Sequence, residues 1–441
     1  MKRQAIVWIC CLALPVSVGA RQRGAETTLH ERIEVLANQI EPKVIEWRRY
    51  FHQHPELSNR EFKTSERVAE HLRSLGMEVR TGVAHTGVVG LLKGKQPGPV
   101  VGLRADMDAL PVTERVDVPF ASRVKSTYAG REVGVMHACG HDSHVGILMG
   151  VASVLSQLRD QLPGTVKFIF QPAEEGPPPG EEGGASMMVR EGALESPPVD
   201  AIFGLHVWSL EDVGTIGYRS GGLLAAADRL EITVRGRQTH GSQPWKGRDP
   251  IVAAAQIING LQTIISRQTD LTKAAAVISI GSIHGGVRNN IIPEEVRMVG
   301  TIRTLDSAMQ EKIHQQIQLV ATRIAESMGT LAEVKISKGA PVTENDPDLT
   351  AEMAPTLRSV AGASNVRVIS PITGAEDFAF YVKKVPGLFF FLGGKPLNVA
   401  ASDAAPHHTP DFFIDESGFK LGVRVLSQLA VDYLEHRSRH D

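Results

Sequence analysis

The sequence predicts an α/β fold: a domain built on a mostly parallel sheet, interrupted by an inserted ferredoxin-like α+β domain. Three observations carry this. Short apolar runs such as 166–171 (VKFIFQ) and 201–207 (AIFGLHV) read as buried strands. Helical patterns fall between such runs, which is the order of a parallel sheet. After about Gly221 the order changes to strand, helix, two strands, helix, strand, the split ferredoxin-like unit. A chain of 441 residues suits two domains better than one.

Taken in order, residues 29–75 read as helical. Pro42 opens a segment at 43–51, and another runs over about 61–75 before Gly76. Strands follow at 87–92 and 100–103. A helix spans 141–158, with Val145, Leu148, Met149, Ala152 and Leu155 near one face. In the insertion, strands are expected at 230–234, 275–280, 296–302 and 332–336, and helices at 249–265 and 307–328. A helix at 349–360, an apolar run at 387–392 and a closing helix at 416–436 return to the first pattern. The expected boundaries are 29–221 and 339–436 for the two parts of the main domain and 222–338 for the insertion.

The net charge of −2 and the lack of a dense basic patch exclude a nucleic-acid binder. Lys2 and Arg3 precede an apolar run over 5–18, followed by Gly19 and Ala20. This is the pattern of a secretory signal peptide at 1–20, and the run is short for a membrane span. The mature protein is therefore expected to be periplasmic or secreted; an uncleaved N-terminal anchor is the alternative. Cys10 and Cys11 fall inside this segment, and Trp8 and Ile9 are too bulky for a lipoprotein processing site. The mature chain would keep Cys139 alone, with no intramolecular disulfide to form.

The neighbours of Cys139 give it another purpose. Four stretches combine acids, histidines and this cysteine: Arg104–Pro111 (RADMDALP), Met136–His144 (MHACGHDSH), Gln171–Gly176 (QPAEEG) and Phe203–His206 (FGLH). Three of them follow strands, where an open α/β sheet builds its sites. A fifth, 407–412 (HHTPDF), lies far along the chain. Thiolate, imidazole and carboxylate are the ligands of zinc and its neighbours. Glu174-Glu175 alone would be a solvated acidic loop. Straight after a buried strand, the two carboxylates can diverge, one to a metal and one to a water. A cysteine nucleophile competes, but a sulfur and an imidazole two residues apart suit joint coordination better.

From about Trp47 to Leu434 the chain resembles the M20 metallopeptidases, in the amidohydrolase branch of N-acyl-amino-acid, hippurate and auxin-conjugate hydrolases. The resemblance rests on LRADMDALP, MHACGHDSH, FQPAEE, FGLH, GRQTHGSQPWKGRDPI, NNIIPEEVRMVGTIRTLD, GAEDFAFY and HHTPDFF. It implies a two-metal hydrolase domain with an inserted lid that makes a homodimer. It implies Cys139, His141, Glu175, His206 and His408 as metal ligands, with the sulfur between two divalent ions. Five ligands exceed the four of one tetrahedral zinc. Zinc or manganese is expected, with cobalt or nickel as alternatives.

By the same resemblance Glu174 is the general base, Asp106 and Asp108 orient ligands, and His240 steadies an oxyanion in the neighbouring subunit. Asn290 and Arg303 match a polar pair that holds a substrate carboxylate. His137 and His144 are read as supporting or helix-start residues, and His52 and His54 as turn residues. Two departures stand out: Trp245 where many relatives carry histidine, and a lengthened loop at 176–182 (GPPPGEE). The expected reaction is hydrolysis of an amide in a small N-acyl or N-aroyl amino acid. A dipeptidase or carboxypeptidase is the alternative within enzymes, and an inactive binding protein the alternative outside them.

Overall fold

The computed structural model describes residues 28–438 together with Met1. The segment read as a signal peptide otherwise lies outside the described residues. The main sheet has eight strands in the order Glu78–Val83, Gly87–Lys93, Pro163–Gln171, Gln96–Asp106, Ala201–Asp212, Gly387–Lys395, Ile216–Tyr218 and Val366–Val368. Its four middle strands, from Pro163–Gln171 to Gly387–Lys395, are parallel, and an antiparallel hairpin flanks them on one side. Their carboxyl ends therefore open on one edge, at Asp106, Gln171 and His206.

Both faces of this sheet are covered, which is why its strands read as continuous apolar runs. Phe168 and Phe203 point into a core shared with the helices Leu29–Gln53, His141–Gln157 and Phe419–Ser438. Their neighbours Ile169 and Ile202 point the other way, into a second core with Met188, Phe378 and Phe389. Among the described residues no helix is long and apolar enough to cross a membrane.

The first helix departs from expectation. It runs from Leu29 to Gln53 with Pro42 inside it, and does not restart at Pro42. A capping box at Thr28 and Glu31 starts it, and buried Ile33, Ala37, Val44, Trp47 and Phe51 keep one face packed on both sides of the proline. Tertiary packing thus outweighs the missing hydrogen bond. His52 is correspondingly not a turn residue. It is buried in the last turn, with Nδ1 2.7 Å from Asp142 and Nε2 3.0 Å from Glu114. His54 caps the helix end and stacks on Tyr50.

The insertion forms its own four-stranded antiparallel sheet, in the order Ala276–Gly285, Glu295–Thr304, Ala226–Arg235 and Leu331–Lys338. The helices Pro250–Thr263 and Ser307–Ser327 pack on it through Ala253, Ile257, Leu261, Ile313, Ile317 and Ala321. The six elements follow the expected order. Asp249 and Asp306 cap the two helices with their side chains.

Candidate active site

Five segments far apart in sequence meet at the carboxyl edge of the main sheet. Cys139 and His141 flank Gly140, which has φ +94° and caps the helix His141–Gln157. A Cβ on Gly140 would lie 2.3 Å from Val207 Cγ2, so this close approach needs glycine. His206 comes from the strand Ala201–Asp212, Glu174 and Glu175 from the loop after Pro163–Gln171, and His408 from the 407–412 loop.

Hydrogen bonds decide which ring nitrogens are free. The Nδ1–H of His141 donates to the Asp108 carbonyl at 2.9 Å. This leaves buried Nε2 with a lone pair and no hydrogen-bond partner among the described residues. The Nδ1–H of His206 donates to the Val207 carbonyl, and its Nε2 faces Cys139 Sγ at 3.4 Å. A histidine whose far nitrogen donates in this way is oriented as a metal ligand. His408 Nε2 lies 2.9 Å from Glu175 Oε1 and 3.3 Å from Cys139 Sγ.

Two further histidines are engaged on both sides. His144 accepts the Val207 N–H at Nε2 and donates from Nδ1 to Asp106, in the supporting position expected of it. His407, which the sequence did not single out, accepts the Ser209 N–H at Nε2, so its Nδ1–H points to Cys139 Sγ at 3.7 Å. It faces the sulfur as a donor, whereas His408 Nε2 faces both Cys139 Sγ and Glu175 Oε1.

Among the groups of donor atoms whose members all lie within 4.8 Å of one another are Cys139, Glu175 and His408; His141, Glu174 and Glu175; and Cys139, His206 and His407. Cys139 and Glu175 each belong to two. Burial pushes the Cys139 thiol well up, reinforced by Glu175 and Glu174. Burial, then Glu376, Glu175 and Asp377, push the Glu174 carboxyl well above the usual range. A thiol and crowded acids that hold protons for want of positive charge, beside an orphaned imidazole nitrogen, are a donor set that fits divalent cations.

The acids behind the donors are tied down. Asp108 accepts the N–H groups of Glu174 (3.0 Å) and Glu175 (3.1 Å) and the hydroxyl of Ser58 (2.7 Å). Glu61 accepts the N–H of Ala173 at 3.0 Å, so three successive amides are held by buried carboxylates. Arg104, fully buried, reaches Asp106 at 2.6 Å and Glu376 and Asp377 at 3.0 Å each. Despite burial, the Arg104 guanidinium holds Asp106 well below the usual carboxylate range. The sequence marked Asp106 and Asp108 but missed Arg104, Glu376 and Asp377. A lone arginine inside the apolar run VVGLRA was the available signal.

A cavity of about 530 Å³ lies over these groups. Cys139, Glu174, Glu175, His206 and His408 line it, and Arg303 enters from the insertion. His240 and Asn290 do not line it. They sit together on the lid, where Gly241 N–H donates to the Asn290 carbonyl at 2.8 Å. His240 is exposed; its Nδ1 accepts from Ser242 N–H at 3.1 Å, which places the ring proton on Nε2.

Residues 102–432 match peptidase family M20/M25/M40. The chain belongs to this family. It is an M20 hydrolase of amide or peptide bonds, and its relatives span several substrates. The chain is 41% identical over 407 residues to thermostable carboxypeptidase 2 of Saccharolobus solfataricus, covering 92% of this chain and 99% of that one. It is 37% identical over 393 residues to N-acetyl-L-cysteine deacetylase of Bacillus subtilis, covering 89% and 88%. It is 34% identical over 422 residues to the IAA-amino acid hydrolase ILR1-like 2 of Arabidopsis thaliana, covering 94% and 91%. Among solved structures, this M20 chain resembles the Bacillus subtilis YxeP protein, a dinuclear metal binding peptidase. The TM-score is 0.75 at 35% identity, covering 90% and 99% of the two chains.

Proposed function

We propose that this M20 hydrolase cleaves the amide bond of small N-acyl or N-aroyl amino acids, with two divalent ions held by Cys139, His141, Glu175, His206 and His408. The carrying observation is that His206, His408, Glu175 and Cys139 line one cavity that also holds a spare carboxylate and a guanidinium, while the free nitrogen of buried His141 lies within 4.8 Å of Glu174 and Glu175 at its wall. The dinuclear relative supports two ions, and the deacetylase and the auxin-conjugate hydrolase support the substrate class. Bound there, zinc or manganese, or else cobalt or nickel, would supply Lewis acidity for a water and a carbonyl.

Glu174 takes the proton from the attacking water and passes it to the leaving nitrogen. Asp106 and Asp108 keep the imidazoles and the Glu174–Glu175 loop in place. Arg303 binds the substrate carboxylate. His240 and Asn290 lie outside their own subunit's cavity, and the exposed His240 Nε2–H is the donor an oxyanion needs. We assign both to the partner's site in a homodimer made through the lid.

The carboxypeptidase relatives favour a second reading, cleavage of short peptides. Parallel assays of N-acetyl, N-benzoyl and dipeptide substrates on metal-reconstituted protein separate the two. Turnover of dipeptides alone would replace the first reading with the second. The segment 1–20 is assigned as a cleaved export signal, so the native protein should start near Arg21 outside the cytoplasm; N-terminal sequencing that finds Met1 would overturn this.

A further inference from the structure

A second cavity, of about 180 Å³, lies on the other side of Glu175, which lines both. Its walls come from four segments: Leu57 and Ser58; Ala109 to Pro111; the tip of the hairpin Lys125–Tyr128 and Arg131–Gly134; and Pro178 and Pro179 of the lengthened loop. Ser58 also donates to Asp108, the residue that fixes the amide of Glu175, so the cavity adjoins the reacting centre.

The loop that roofs it is anchored. Glu181 binds Arg60 at 2.6 Å and Asn59 at 3.1 Å, and the Glu182 carbonyl accepts from Asn59 at 3.0 Å. The three prolines, 177–179, stiffen the stretch before that anchor. The one cation at the cavity wall, Arg60, is thereby already paired. Both cavities share the Glu175 carboxylate; beyond it the larger offers the guanidinium of Arg303, and the smaller offers leucine and proline side chains beside the hydroxyls of Ser58 and Thr127, with its one cation among the described residues, Arg60, already paired.

We infer that the second cavity is the acyl-group subsite, accepting short acyl and single-ring aroyl groups, and that the 176–182 loop sets its limit. This rests on the amidohydrolase reading above. The two arms of an N-acyl amino acid diverge from the scissile amide. The charged arm goes to Arg303, and the uncharged arm goes across Glu175 into the second cavity, which offers no free cation to a carboxylate among the described residues. A cavity of about 150 Å³ is known to hold a benzene ring, so a volume near 180 Å³ accepts acetyl through benzoyl, and an extended hexanoyl chain, longer than a benzoyl group though no bulkier, probes its depth.

The test uses one amino acid carrying acetyl, butyryl, hexanoyl or benzoyl groups, assayed on the metal-loaded full chain. Thr127→Trp narrows the cavity from its exposed rim, and Tyr128→Ala widens it. Thr127→Trp should lower kcat/KM for benzoyl relative to acetyl by about tenfold, and Tyr128→Ala should raise hexanoyl relative to acetyl by a similar factor. The ranking of different amino acids under a fixed acetyl group should stay as in the wild type. Unchanged acyl ratios in active variants would overturn the subsite while leaving the amidohydrolase reading intact. A wild type that cleaves dipeptides and no N-acyl amino acid would overturn both.

Discussion

The carboxylate of Asp108 accepts the backbone N–H of Glu174 at 3.0 Å and, through its other oxygen, that of Glu175 at 3.1 Å. One side chain thus sets the direction of two neighbouring carboxylates with different tasks. Ala173 just before them has φ +52°, and this turn brings the two amides round to the acid. Asp108→Asn keeps the size but replaces one acceptor oxygen with a donor, so one of the two amides loses its partner. Activity should fall by about 10–100-fold with the fold retained. Steady-state kinetics beside circular dichroism check this, and wild-type rates would show that the loop holds its shape unaided.

Glu174→Gln should leave fold and metal content intact and cost about 10²-fold or more in kcat, because the amide cannot accept the proton. Metal analysis of the same sample makes the measurement decisive. A fully loaded variant that turns over normally removes Glu174 from the mechanism.

Cys139→Ala should behave differently from Glu174→Gln. The sulfur belongs to two donor groups, one with Glu175 and His408 and one with His206. Deleting it should therefore lower bound metal as well as activity. Elemental analysis after dialysis against a weak chelator reads this directly. A full metal complement would make Cys139 a packed small residue and no more.

Among the described residues Arg104 is the one cation paired with Glu376 and Asp377, and it shares Asp106 with His141 and His144. Arg104→Met fills the space and leaves buried acids unpaired. It should destabilise the protein by about 3–5 kcal/mol, seen as a lower midpoint in urea. An unchanged midpoint would mean that the acids take up protons at little cost.

These residues also show what a sequence can and cannot disclose. The run VKFIFQ ends where Glu174 and Glu175 enter the site, because an apolar strand buried on both faces marks its own end. The six lid elements were legible for the same reason, each carrying its own period. Pairings across the chain were not. Pro42 sits inside a helix because Ile33 and Trp47 pack on either side of it, and His52 is buried because Asp142 and Glu114 reach it from distant segments. His407 and His408 look alike in sequence; the Ser209 amide distinguishes them. The second cavity was invisible because its four walls are far apart in the chain.

The lid poses the sharpest test. His240 is exposed and lines no part of its own subunit's cavity, yet its Nε2–H is free to donate. If it serves the partner, each site in a dimer needs Glu174 from one chain and His240 from the other. His240→Ala alone should then lose most activity, as should Glu174→Gln alone. Unfolding and refolding the two variants together yields a mixture in which half the dimers are mixed. Each mixed dimer has one site with both groups intact and one with neither. Activity should therefore return to about a quarter of wild type, the arithmetic of an isologous two-fold dimer. Differently tagged chains show by sequential affinity capture whether mixed dimers have formed. Mixed dimers as inactive as their parents would place His240 outside the partner's site and return it to the role of an exposed lid residue.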